Sequence, residues 1–410
     1  MKLFTLSHPP WITQTVVGIV LATFLSDFSH EMATAVLPLY LTSLGFGPAA
    51  LGVIEGVADF VVSLSKLGGG VLGHHVAQKR PWASLGYLIT ALATWAMAFM
   101  NSVIGLLTLR SIAWMGRGFR GPLRDYLLAD AVTSSHYGRA YGLERAGDML
   151  GAVAGPLAAA LLVWGQVDLR TVILCTIIPG LFAAGSMFFL TRERSTTVVA
   201  VGGTFPAASK KVFPTAFWLF LVGVLLFGLG DFSRTFLIWL AANALGQPAN
   251  LGAETISVAL LLYTLHNLTS AAGAYPIGLW GDRRAKLPIL VWGYGLGVGT
   301  NVLLIFFSRS LSWLVLVVLL SGIYIAAEET LEKAVAAEML PRELRSLGFG
   351  YLACANAVGD MTSSLYVGYF LEAQKPDWAF GIASATGAAG ILWIVVALKM
   401  GRMRATEKAG

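Results

Sequence analysis

The sequence predicts an all-α integral membrane protein: twelve transmembrane helices in two six-helix, pseudo-symmetric halves. Three observations carry this expectation. The 410-residue chain is 56% hydrophobic and 12% charged, about half the charged share usual in a soluble domain. Apolar segments long enough to cross roughly 30 Å of hydrocarbon recur along its whole length. Short motifs from the first half also return, in order, in the second.

The expected spans are 12–41, 47–75, 82–101, 103–131, 139–164, 169–191, 213–244, 252–281, 287–307, 310–338, 345–371 and 377–400. The stretch "MKLFTLSHPP" is short and has no small-residue cleavage site, so the first span is read as retained rather than as a signal peptide. A polar segment, basic at both ends, separates residues 1–191 from 213–410 and reads as a cytoplasmic linker over 192–212. With the N-terminus inside, the inner loops collect Lys79, Arg80, Arg192, Arg194, Lys210, Lys211, Arg283, Arg284 and Lys286. The outer loops hold Arg170, Arg309 and Lys375. That bias places both termini in the cytoplasm of a bacterial inner membrane. It also accounts for the net charge of +6 without a nucleic-acid partner. Cys175 and Cys354 lie in apolar segments and form no disulfide framework.

The repeat is visible in three places. "LSDFS" at 25–29 returns as "LGDFS" at 229–233, "KRPWASLGY" at 79–87 as "KLPILVWGY" at 286–294, and Ala129-Asp130 as Ala337-Glu338. The offset stays within 204–208 residues. Two parallel six-span repeats are the architecture of a secondary transporter.

Four further stretches resemble the major facilitator superfamily, and the resemblance runs the length of the chain. "GLWGDRR" at 278–284 matches the family's glycine–aspartate–arginine loop, which implies a gating role for Gly278, Asp282 and Arg283. The matching loop of the first half reads "GVLGHHVAQKR", with His74 where an aspartate is usual. Gly142, Gly151, Gly155 and Pro156 resemble the fifth-span motif of the family's antiporters, with Ala159 and Ala160 replacing its trailing glycines. "RSIAWMGRGFRGPLRDYLLAD" at 110–130 and "GRAYGLERAGDMLGAVAGP" at 138–156 resemble a bacterial subgroup with a GRGxRxxxRD pattern. The resemblance implies alternating access around a midplane site lined by spans 1, 4, 7 and 10.

Charged residues inside spans need a partner or a water-filled cavity. Asp27, His30, Glu31 and Thr34 share one helical face, as do Glu55, Asp59 and Lys66, and Arg110, Arg117 and Arg124, with Arg120 beside the last set. In the first half the carboxylates of Asp27, Glu31, Glu55, Asp59, Asp125, Glu144 and Asp148 nearly balance Lys66, Arg110, Arg117, Arg120, Arg124 and Arg145. In the second half Asp231, Glu328, Glu329, Glu332 and Asp360 face Arg234 and Lys333 alone. Desolvation drives an unpartnered buried carboxylate towards its protonated form, the property that proton coupling requires.

The expected proton-coupling residues are therefore Asp27, Glu31, Asp59, Asp231 and Asp360. The expected substrate contacts are Asp27, His30, Glu31, Arg117, Arg120, Arg234, Tyr263, His266, Asn267 and Asn356. The gate is expected at Arg124, Asp125, Gly151, Gly155, Pro156 and the Gly278 loop.

The absence of a Gly-Lys-Ser/Thr phosphate loop argues against ATP-driven pumping. A sensor would need a signalling domain, and an enzyme would need a nucleophile with an aligned base. The expected function is proton-coupled antiport, exporting a small solute, by a non-enzymatic monomer in the lipid bilayer with no cofactor. The alternatives are proton-coupled uptake, or a divalent-metal, iron-like carrier using Asp27, His30 and Glu31.

Overall fold

A computed structural model of the chain describes residues 11–133, 137–193, 213–246, 252–308, 310–340 and 345–407. Most of the expected linker, 194–212, lies outside the described residues, as do Arg309 and the side chains of His74 and Asp282. The helices are α1 (Gln14–Ser43), α2 (Pro48–His75), α3 (Arg80–Ala96), α4 (Val103–Asp130), α5 (Tyr137–Trp164), α6 (Leu169–Cys175), α7 (Ile177–Gly185), α8 (Thr215–Gly228), α9 (Thr235–Leu245), α10 (Ala253–Arg283), α11 (Lys286–Phe307), α12 (Leu311–Met339), α13 (Arg345–Glu372) and α14 (Pro376–Glu407). No strand occurs among the described residues.

Local chemistry sets several helix starts. The hydroxyls of Thr13 and Ser102 accept from Val16 N and Gly105 N at the heads of α1 and α4, and Pro occupies the first helical turn of α2 and α3.

Among the described residues, nine helical segments are long and apolar enough to cross a membrane. They fall on nine of the twelve expected spans. The charge-rich α4 and the Gly/Ser/Thr-rich α13 are long enough but too polar to join them, and α8 and α9 are individually short. Span 7 was expected to be one helix over 213–244. It is instead broken at 229–234, so Asp231 sits in a break rather than on a helix. Span 6 is likewise interrupted at Thr176 and ends in a π-turn over Ser186–Leu190.

The break in span 7 has a physical cause. A Cβ on Gly230 would stand 2.2 Å from Ala383 O, and the backbone of Gly228 packs directly on Gly359. Side chains satisfy the freed backbone groups: Tyr366 donates to Leu229 O, Asn301 to Gly230 O and Ser363 to Asp231 O, while Ser364 Oγ accepts from Ser233 N. The break is thus a built structure with its polar groups answered.

Packing partners recur in both parts of the chain. The pairs α2–α4, α3–α4, α1–α5 and α3–α7 correspond to α10–α12, α11–α12, α8–α13 and α11–α14, and the two groups meet through α2–α13 and α5–α10. The turns repeat as well. Gln166 after α5 and Gln374 after α13 take φ of 65° and 58°, and each is framed by the same trio of backbone hydrogen bonds to the preceding helix.

The apolar core divides in a way that defines the conformation. At the face opposite the chain termini, one cluster joins α1–α7 to α8–α14, running from Met32, Leu37 and Leu51 through Trp239, Leu260 and Phe380. At the terminus face there are two clusters. One belongs to α1–α7 (Val16, Tyr87, Leu127, Met187) and the other to α8–α14 (Phe217, Tyr294, Leu331, Ile394). The far face is also bonded across the groups. Ala49 N at the head of α2 donates to Glu372 at 3.0 Å, and Ser257 Oγ donates to Ala160 O at 3.1 Å. Exposed charged side chains, Lys66, Arg145, Glu329 and Lys333, occupy the terminus side. The apolar core is continuous across the far face and divided at the terminus face, where the Arg145–Glu329 ion pair still links α5 to α12.

Two substitutions test what holds the far face shut. A Cβ on Gly52 would stand 2.3 Å from Ser364 O on α13, so Gly52→Ala is expected to force α2 away from α13. Glu372→Ala removes an anion from a helix N-terminus, an interaction of roughly 0.3–1 kcal/mol, and is expected to raise the far-face-open population by up to about five-fold. Spin labels at Ala50 and Lys375 would report both as a longer-distance population. Unchanged distances in both would show that neither contact controls closure.

Candidate functional site

The site is built on α4. Arg110, Arg117 and Arg124 project toward three different helices. Arg110 is fully buried. Its Nη2 lies 3.0 Å from Glu55 on α2, and its Nη1 donates to Thr34 on α1 at 3.1 Å. Arg117 makes a two-pronged pair with Asp27 on α1, at 2.9 and 3.0 Å. Arg124 pairs with Glu144 on α5 at 2.7 Å and with its neighbour Asp125 at 2.9 Å. Trp114 lies between the first two, with the guanidinium carbons of Arg110 and Arg117 at 5.3 and 5.4 Å from its ring. His30 meets Trp114 edge-on at 4.7 Å.

Arg120 turns the other way. It packs over the Tyr87 ring of α3 at 3.9 Å and donates to Thr90, so the expected substrate contact is placed against α3. Small residues seat α5 on α1. A Cβ on Gly151 would stand 2.5 Å from Phe24 O, and one on Gly155 2.6 Å from Phe28 O. Pro156 follows within the helix. The glycines of the antiporter-like motif thus set the position of the helix that carries Asp27, His30 and Glu31. Glu31 accepts from Tyr263 of α10 at 3.2 Å, and Asn267 of α10 donates to Ala152 O of α5 at 2.8 Å. His266 bonds Ser321 and stacks on Tyr263.

The α8–α14 side is carboxylate-rich. Asp231 accepts from Tyr324 and pairs with Arg234 at 3.4 Å, and Arg234 also reaches Glu328 at 3.5 Å. Glu332 has no ion pair of this kind. It accepts from Tyr294 at 2.9 Å and Asn356 at 2.7 Å. Asp360 on α13 feels the charges of Asp231, Asp59, Arg234 and Glu332, so Asp59 on α2 and Asp360 are within electrostatic reach of each other. A small pocket, with room for about one water molecule, opens beside the span-7 break, lined by Asp231, Arg234, Asn301, Ser321 and Tyr324 among others. Arg145 joins the two sides at the terminus face, bonding Asp148 at 2.6 Å and Glu329 at 3.0 Å.

Asp27, His30 and Glu31 do not converge. They turn to Arg117, Trp114 and Tyr263 respectively. Among the described residues no group of three His, Cys, Asp or Glu side chains is placed to hold a metal ion, so the geometry does not assemble the metal site considered from the sequence. The expected Gly278 loop is helical up to Arg283, forming the last turns of α10: a Cβ on Gly278 would contact Thr330, and Arg283 is exposed in the final turn.

Sequence reasoning missed one feature that the repeat could have exposed. The alignment of Ala129-Asp130 with Ala337-Glu338 also sets Arg120 against Glu328, Arg124 against Glu332 and Asp125 against Lys333. The charges of α4 are therefore inverted on α12. The equivalent tyrosines follow suit: Tyr87 lies under the Arg120 cation, while Tyr294 donates to the Glu332 carboxylate.

Crossing helices, a closed far face and charged walls at the centre define a membrane carrier. The chain belongs to the Major Facilitator Superfamily, whose family profile matches residues 19–251 and 232–409. It is a multi-pass membrane transporter, not an enzyme.

An uncharacterized MFS-type transporter of Methanocaldococcus jannaschii is 26% identical over 358 residues, covering 87% of this chain and 88% of the relative. A probable 4-methylmuconolactone transporter of Cupriavidus pinatubonensis is 26% identical over 250 residues, 58% of this chain and 57% of that one. The solved nucleoside transporter NupG superposes with a TM-score of 0.77 at 11% identity, over 94% of this chain and 99% of that chain. A POT family transporter bound to a thioalcohol-conjugated peptide gives 0.73 at 13% identity, over 96% and 99%. At such identities the two structures establish the fold alone.

The α4 stripe predicts a graded stability effect. Arg110→Met leaves Glu55 buried without its cation and is expected to destabilise by about 3–5 kcal/mol, whereas pairing it with Glu55→Leu recovers most of the loss. Thermal unfolding in detergent measures both. Equal losses in the single and double variants would show that Arg110 acts through packing, not charge.

Proposed function

We propose that this transporter is a proton-coupled antiporter that exports a small solute by alternating access. In this reading, two pseudo-symmetric six-helix halves, residues 1–191 and 213–410, are joined by the 192–212 linker. Span 6 is counted as α6 plus α7 and span 7 as α8 plus α9, which makes twelve spans. The chain works as a monomer in a bacterial inner membrane with both termini cytoplasmic, so the divided face opens inward.

The observation that carries the reading is the division of the core: one apolar cluster across the far face and two at the terminus face, with charged walls where they separate. A site reachable from one side and sealed from the other is what one state of an alternating-access carrier requires. The carboxylates supply the proton side. Asp231 and Glu328 share Arg234, while Glu31 and Glu332 rely on neutral tyrosine and asparagine donors. Asp59, Asp231 and Asp360 lie within electrostatic reach of one another and of Arg234, and in this reading they take up and release the coupled proton. Asp27, held in the two-pronged pair with Arg117, couples when that pair opens.

Around this core, His30, Arg117, Arg234, Tyr263, His266, Asn267 and Asn356 line the solute path. Arg124, Asp125, Gly151, Gly155, Pro156 and the Gly278–Asp282–Arg283 loop serve as gate elements. The antiporter-like glycines on α5 favour export, and a small organic solute accords with the lactone named for the Cupriavidus relative.

Reconstituted proteoliposomes with an internal pH dye test the reading. Added solute is expected to move protons in the opposite direction to itself, and Asp360→Asn is expected to reduce coupled flux at least ten-fold with little change in melting temperature. Solute and proton moving together would make the protein an uptake carrier. Wild-type coupling in the variant would remove Asp360 from the mechanism.

A further inference from the structure

The two charged walls differ in the polar atoms they leave without a hydrogen-bond partner. On the α1/α4 wall these are the donors Trp114 Nε1, Arg110 Nε and Arg117 Nη1, both ring nitrogens of His30, and one acceptor, Glu55 Oε1; of these, Arg117 Nη1 and Glu55 Oε1 are already engaged in ion pairs. His30 is 1% exposed. A neutral imidazole offers one donor and one acceptor, while indole and guanidinium nitrogens only donate. The wall therefore carries a surplus of unused donors, clustered around one ring: His30 at 4.7 Å and the two guanidinium groups at 5.3 and 5.4 Å from Trp114. Three cations, Arg110, Arg117 and Arg120, act on His30, with Asp27 and Glu31 on the same turn of α1.

On the α12 wall the buried atoms without a hydrogen-bond partner are one donor, Arg234 Nε, and one acceptor, the Glu328 Oε2 that lies 3.5 Å from Arg234 Nη2. Glu328 stands among Asp231, Glu332 and Asp360, with Arg234 the cation shared between them.

A buried donor without a partner is unfavourable, and a ligand that supplies an acceptor there gains that deficit as affinity. The ligand's charge follows from the pairs already made. Arg110 is neutralised by Glu55 and Arg117 by Asp27, so the wall does not call for a dianion. Two adjacent neutral donors, Trp114 Nε1–H and His30 N–H, match the two oxygens of one carboxylate. The acidic α12 wall disfavours a second anionic group at the far end of the same molecule.

We propose that the α1/α4 wall is a docking subsite for the carboxylate of a small monocarboxylate, held by Trp114 and His30 between Arg110 and Arg117, with the α12 wall rejecting dicarboxylates. This assignment rests on the transport reading and names its substrate class. Arg117, the member of the group with 23% of its side chain exposed, is where the anion first arrives.

The test uses the purified full-length protein and four probes of one ring size: benzoate, benzamide, benzylamine and terephthalate. Benzoate is expected to raise the melting temperature and to bind by calorimetry more tightly than the other three. Trp114→Phe keeps the ring and removes the N–H, and is expected to weaken benzoate about ten-fold. His30→Phe should do the same, and each variant should retain a melting transition close to that of the wild type without ligand. Stabilisation by benzylamine, benzamide or terephthalate equal to that by benzoate overturns the proposal. So does the absence of benzoate binding, or benzoate affinity unchanged in Trp114→Phe.

Proteoliposome flux separates this failure from failure of the transport reading. Proton-coupled movement of a neutral or cationic solute, unaffected by Trp114→Phe, refutes the carboxylate subsite and leaves transport intact. Trp114-dependent benzoate binding without any proton-coupled flux supports the subsite and refutes the coupling.

Discussion

The structure depends on how four arginines are accommodated on one membrane-crossing helix. A guanidinium in hydrocarbon is tolerated only when paired or wet, and α4 carries Arg110, Arg117, Arg120 and Arg124 within four turns. Three of them reach Glu55, Asp27 and Glu144 on α2, α1 and α5, and the fourth rests on the aromatic face of Tyr87 on α3. Each contact fixes a different neighbour against α4, so the helix least suited to lipid is the one around which the first group is assembled. Removing a single partner strands a charge, which is why such a network specifies an arrangement more than it adds stability.

The second group meets the same requirement with the opposite sign. Its α12 places Glu328 and Glu332 where α4 has Arg120 and Arg124, and it satisfies them with Arg234, Tyr294 and Asn356. The inverted charge gives a central region that is polarised across its width, basic along α4 and acidic along α12.

Nine of the twelve expected spans were legible in the sequence because hydrocarbon thickness imposes a length and a composition on every crossing helix. Helices 204–208 residues apart also keep matching packing partners, as α2–α4 and α10–α12 do. The facing of Asp27, Arg110, Arg117 and Arg124 followed from the helical period alone. What the period cannot give is the partner. Arg120 and Arg117 are three residues apart, yet one meets an aromatic ring and the other a carboxylate. Whether Asp27, His30 and Glu31 gather or diverge depends on Trp114 and Tyr263, which arrive from other helices.

The break in span 7 shows why similarity between repeats can mislead locally. "LSDFS" is helical in α1, while "LGDFS" is not, although four of five residues agree. The difference is Ser26 against Gly230. At Gly230 the backbone approaches α14 too closely for a side chain, and the carbonyls released by the break are taken up by Asn301, Ser363 and Tyr366 from two other helices. No single-segment propensity encodes those three acceptances, because each lies 71 or more residues away in the chain. The consequence is functional as well as structural. Asp231 is held on irregular backbone fastened to α11 and α13, so its carboxylate is positioned by helices of the second group, while its counterpart Asp27 is tied by Arg117 to the first. Two aspartates at equivalent places in the sequence thus have unlike surroundings, one paired two-pronged with an arginine and one shared between a tyrosine and a distant guanidinium.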